Sequence, residues 1–89
     1  MSASYADGGV IYYVYMFKLT EQHFVDDFKG QPETGMGYWI ATAHLRDGRV
    51  LKQVLVESGY VTMVHGHAGV PFDEADVDRF VVSHDKWSD

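Results

Sequence analysis

The chain contains no cysteine. That absence removes disulfide scaffolding, thiolate metal ligation and a cysteine nucleophile together, and it suits a reducing compartment. Proline is limited to Pro32, in a stretch that reads as a loop, and Pro71, in the Ala68-Gly69-Val70-Pro71 stretch that breaks the sheet. Positive charge is also short. Seven Lys and Arg stand against thirteen Asp and Glu, giving a net charge of −6 and a pI near 5.1. Such a balance leaves no broad basic footprint for phosphates, so direct binding to nucleic acid or an anionic membrane is disfavoured. No apolar run reaches the roughly 18–20 residues that span a bilayer. The start, Met1-Ser2-Ala3-Ser4-Tyr5-Ala6-Asp7, lacks the basic and apolar regions of a signal peptide. The expectation is a cytoplasmic protein with neither nucleic acid nor membrane as partner.

What is present is apolar bulk: 46% hydrophobic and 15% aromatic residues in an 89-residue chain. That length holds one domain with one core, and the composition is far from that of a disordered chain. Residues 1–9 are small and polar and end in Gly8-Gly9, which reads as a flexible lead-in to a single domain over residues 10–87. Val10 to Leu19 is dense in β-branched and aromatic residues and predicts a first strand. Both of its alternating sets are apolar: Val10, Tyr12, Val14, Met16 and Ile11, Tyr13, Tyr15, Phe17, Leu19. A strand of that kind has to be covered on both faces.

Residues 20–30 predict one short helix. Thr20 is a candidate cap, Phe24 and Phe28 form a stripe four apart, and Gly30 is a stop. Gln31 to Gly37 reads as a loop. Strands follow over Tyr38–Leu45, Arg49–Glu57 and Tyr60–His67, joined at Asp47-Gly48 and Ser58-Gly59. Phe72–Asp78 predicts a short helical turn capped by Asp73, Phe80–His84 a last strand, and Trp87 an anchor for the tail. The fold class is mainly β: a five-stranded antiparallel sheet or a small barrel, with one or two short helical insertions. The helical turn before the last strand resembles the arrangement of SH3-like and Sm-like barrels, a fold-level likeness that carries no function with it.

Two constellations carry possible chemistry. The first is histidine. His65 and His67 stand two apart on a predicted strand, and with His44 and His84 they form a candidate site for a divalent metal such as zinc. Gly59, five residues and His65-Gly66-His67 resemble the opening of the cupin metal motif. The resemblance spans nine residues, and the glutamate that continues the motif has its counterpart only in Glu74, beyond Pro71. It implies a metal-dependent or ligand-binding β-barrel.

The second constellation is aromatic. Tyr12, Tyr13, Tyr15 and Phe17, with Tyr38, Trp39 and Tyr60, are rigid rings of the type enriched in interface hot spots, or in the lining of a small-ligand pocket. The acidic groups at residues 73–78 lack the glycine and closing glutamate of a calcium loop. The favoured expectation is a non-catalytic interaction domain that forms a homodimer through Tyr12, Tyr13, Tyr15 and Phe17, with a protein partner as a further possibility. It has no catalytic residues and no cofactor. The rival is the histidine-based metal or ligand barrel.

Overall fold

The computed structural model describes residues 4–5, 11–12 and 16–87. Two short strands, β1 (Ser4–Tyr5) and β2 (Ile11–Tyr12), pair antiparallel with each other. The main sheet comprises β3 (Phe17–Lys18), β4 (Tyr38–Leu45), β5 (Val50–Glu57), β6 (Tyr60–Val64) and β7 (Val77–Val82). Their order is β3-β6-β5-β4-β7, antiparallel throughout, and the sheet curls into a half-barrel with β3 and β7 as its edges. One helix, α1 (Gln22–Phe28), follows β3, and a 3-10 turn at Glu74–Asp76 precedes β7. No helix among the described residues is long and apolar enough to cross a membrane.

The β4–β5–β6 meander follows from its turn residues. Asp47 accepts hydrogen bonds from the backbone N–H of Arg49 at 3.0 Å and from its Nε at 2.8 Å, while Gly48 takes φ +95°. Ser58 and Gly59 have φ values of +52° and +82° between the paired residues Glu57 and Tyr60, the left-handed pair that a two-residue type I′ hairpin requires. Glycine accepts that conformation freely and serine does not. Ser58→Asn should therefore stabilise the fold by about 0.5 kcal/mol, a rise in Tm of roughly 2–4 °C in a thermal melt monitored by circular dichroism. An unchanged or lower Tm would contradict this turn assignment.

The core fills the concave side of the sheet. Ala41, Ala43 and Leu45 of β4, Val54 and Val56 of β5, and Val61 and Val64 of β6 are all buried. A bulge sets Lys52 and Gln53 opposite Thr42, with Gln53 at φ +58°. Leu51 and Val54, three apart, thereby both reach the core side. Phe24 and Phe28 close the open side of the half-barrel, at 1% and 4% exposure, and both rings meet Phe80. Phe72, in the stretch before the 3-10 turn, packs edge-on against Phe17 at 5.8 Å between ring centres.

Polar groups tie these layers together. The carboxylate of Asp27, on α1, accepts the backbone N–H of Phe80 at 3.0 Å, which occupies part of the β7 edge. The 3-10 turn carries a capping box in which Asp73 accepts from Ala75 N–H, and Asp76 accepts from Asp73 N–H. Thr20 does not cap α1. The N-cap is Glu21, with no side-chain cap of its own, and the Glu74 carboxylate instead accepts the N–H groups of Thr20 and Glu21 at 2.7 and 2.8 Å. The Thr20 hydroxyl donates to the same carboxylate at 2.5 Å. A cap that local spacing would place at Thr20 is thus supplied from fifty-odd residues away.

Three boundaries differ from the sequence reading. The last strand is Val77–Val82, because it pairs with β4 straight out of the 3-10 turn. It ends where Ser83 and His84 both donate to the Ile40 carbonyl and His84 turns to φ +56°. β6 stops at Val64, where Gly66 at φ +88° and the His67 N–H to Val64 carbonyl bond form a turn. Of the expected first strand, Ile11–Tyr12 pairs with Ser4–Tyr5, and Phe17–Lys18 pairs with β6. Residues 13–15 lie outside the described residues, as does most of the lead-in at 1–9.

Candidate functional site

A concavity lies where α1 crosses the sheet. β3 runs into Leu19, whose N–H bonds the Gly59 carbonyl at 2.8 Å, so the strand end is tied to the β5–β6 turn. α1 then packs Phe24 and Phe28 inward and leaves Val25, 42% exposed, on its flank. Between that flank and the sheet opens a cleft of about 470 Å³ walled by Leu19, Val25, Phe28, Trp39 and Val56. Its size falls within the range of small-ligand pockets. The Phe28 and Trp39 rings lie 5.3 Å apart and inclined by 43°, and the Trp39 Nε1–H donates to the Gln31 carbonyl at 3.1 Å. That bond satisfies the indole donor of a ring that lines the cleft.

The polar part of the lining is small. Gln22 and Lys29 are its polar side chains, and Gln22 already donates to the Asp26 carboxylate at 2.9 Å. Lys29 is the C-cap of α1, and Gly30 follows it at φ +78°. Glycine at that position stops the helix as the sequence reading expects. It also turns the chain away so that residue 29 sits at the rim. Among the described residues Lys29 has no ion-pair partner.

The opposite, convex face of the sheet is partly covered by the tail. Residues 83–87 run across it, fixed by the two N–H bonds to Ile40 and by Gln53 Nε2 donating to the Asp85 carbonyl at 3.2 Å. Trp87 stacks on His65 at 4.8 Å and 19°, and Lys86 Nζ sits 5.9 Å over the Tyr38 ring. Ile40, on the face opposite Ala41, is consequently 1% exposed. Trp87 anchors the tail as its sequence position suggested.

The histidines are distributed rather than gathered. His44 lies on β4 between Val50 and Arg79. His65 and His67 flank Gly66 in a turn, so the shared-face argument for a strand pair does not apply to them. His65 Nδ1 is 3.1 Å from Gln53 Oε1, and His84 Nδ1 is 2.7 Å from the Thr34 hydroxyl. His23 rests against the Phe24 ring at 4.0 Å. Among the described residues no group of three His, Asp or Glu side chains is placed to hold a metal ion.

Of the expected interface rings, Phe17 is 6% exposed and belongs to the core. Tyr13 and Tyr15 lie outside the described residues, and Tyr12 contributes the backbone pairing of β2. Tyr60 is 38% exposed beside Lys18 on the neighbouring β3. Trp39 was among the rings expected at an interface or pocket, and it forms a cleft wall. The roles of Leu19, Val25 and Lys29 escaped the sequence reading. Val25 was the available signal, an apolar residue off the Phe24–Phe28 stripe. No family model, no curated protein and no solved structure matches this chain.

Proposed function

We propose that the chain is a non-catalytic interaction domain that self-associates through the aromatic stretch leading into β3. The observation that carries this reading is the position of β3. It is an edge strand, paired with β6 on one side, and the residues before it are apolar in both alternating sets. Edge strands are natural sites for pairing with a further chain, and rigid rings beside one supply the contact area. Phe17 serves the core, so the interface rests on Tyr12, Tyr13 and Tyr15. Exposed Met16, at 48%, extends the apolar seam towards β3. A protein partner docking on the same seam is the related outcome.

Sedimentation equilibrium tests this directly. The native chain is expected at twice its 10.1 kDa monomer mass, and a Tyr13→Asp/Tyr15→Asp variant at the monomer mass with unchanged circular dichroism. A native mass at monomer size across a hundredfold range of concentration defeats self-association. A dimer that survives both substitutions moves the interface elsewhere.

A further inference from the structure

We infer that the cleft between α1 and the sheet binds a small ring-bearing carboxylic acid, with the ring between Val25 and Trp39 and the acid at Lys29. This goes beyond the self-association reading and does not rest on it. The walls set the first half of the ligand's chemistry. Leu19, Val25, Phe28, Trp39 and Val56 present an apolar surface in a space of about 470 Å³. Two of the five are aromatic and inclined at 43°, a geometry that admits a further flat ring by offset or edge contact. The Trp39 N–H is taken by Gln31, so the indole offers the ligand an apolar surface and no free donor.

The rim sets the second half. The chain has thirteen Asp and Glu against seven Lys and Arg, yet the charged residue in this lining is a lysine and no carboxylate joins it. The other polar side chain, Gln22, is engaged by Asp26. An ammonium group with no ion-pair partner among the described residues, beside an apolar wall, complements an amphiphile with one negative end. The net charge of −6 repels anions at long range, so selectivity for an acid has to come from contact with Lys29 and should weaken with salt.

Trp39 supplies a built-in reporter, because its indole N–H is one of only two in the chain. Titrating 1-naphthaleneacetate into nitrogen-15-labelled protein should shift the Trp39 indole resonance saturably and leave that of Trp87 in place. The neutral isostere 1-naphthaleneacetamide should bind roughly three- to fivefold more weakly, and Lys29→Met should erase that difference by weakening the acid alone. Val25→Asp, at an exposed position that should not disturb folding, should abolish binding of the acid. Equal affinity for acid and amide in the native chain overturns the acidic-ligand assignment. No saturable shift of Trp39 with either probe up to millimolar concentration overturns the site. A dimer mass measured under the same conditions keeps this outcome separate from the self-association reading.

Discussion

Replacing Phe24 by Ala is expected to lower the stability of the folded chain by about 3–5 kcal/mol, the cost of removing a buried phenyl ring and leaving its cavity. Phe24 is 1% exposed and lies on α1, which covers the open side of the half-barrel. Its ring meets Phe80 edge-on, 5.4 Å away and at 81°. The neighbours that would have to collapse into the void are held in place. Phe80 sits in a β7 ladder whose N–H is taken by Asp27, and the strand opposite carries the small residues Ala41 and Ala43. Relaxation is therefore limited and the cost belongs at the upper part of the range.

Val25 provides the internal comparison. It is adjacent on the same helix but 42% exposed, so Val25→Ala should change stability by no more than about 0.5 kcal/mol. In a domain of this size the Phe24 variant should melt at least about 12 °C lower than the native chain. Urea titration followed by near-ultraviolet circular dichroism measures both variants. Equal midpoints for the two would mean that α1 does not close the core.

The contrast between Phe24 and Val25 also marks what a sequence can reveal. Phe24 and Phe28 are four apart, and that spacing on a helix bounded by Gly30 is a local signal. The β4–β5–β6 meander was legible for the same reason. Asp47-Gly48 and Ser58-Gly59 force turns at the points where the alternation of buried and exposed residues reverses. The capped turn at Asp73 was equally local, since donor and acceptor lie within three residues.

What stayed hidden depends on distance in the chain. No local pattern announces that Glu74 will hold Thr20 and Glu21, or that Asp27 will occupy an edge N–H of β7. The His65-Gly66-His67 stretch misled because its alternation is that of a strand. Gly66 instead takes a left-handed φ and makes the segment a turn. The cleft was out of reach for a related reason. Its walls come from the end of β3, from α1, and from β4 and β5, and only the curl of the sheet brings Leu19, Val25 and Trp39 to one space. Gln53 at φ +58° shows the same limit at smaller scale, since nothing in its own chemistry asks for a bulge there. The bulge follows from the need to bury both Leu51 and Val54.

The Glu74 clamp leads to the second large effect. Its carboxylate receives three donors from Thr20 and Glu21, and so joins the β3–α1 connection to the 3-10 turn. Partial burial alone would push this carboxyl up. The Thr20 hydroxyl, the Glu21 and Thr20 N–H groups and the charge of nearby His23 outweigh it and hold the group below its ordinary value of 4.5. A carboxylate lowered on folding binds its proton more readily in the unfolded chain. Its stabilisation is therefore fully present above about pH 4.5 and is lost as pH falls through the lowered folded value.

Glu74→Ala should cost about 2–3 kcal/mol at neutral pH, because charge-assisted bonds disappear together and two backbone N–H groups lose their acceptor. Glu74→Gln keeps one acceptor oxygen and the shape of the side chain, so it should retain part of the stability while losing its dependence on pH. Urea midpoints measured from pH 7 down to pH 3 separate the two contributions. The curves of the native chain and the Glu74→Gln variant should converge as the acid limb is reached, since the native carboxyl is then protonated as well. Parallel curves across that window would show that the Glu74 carboxylate does not carry the acid sensitivity.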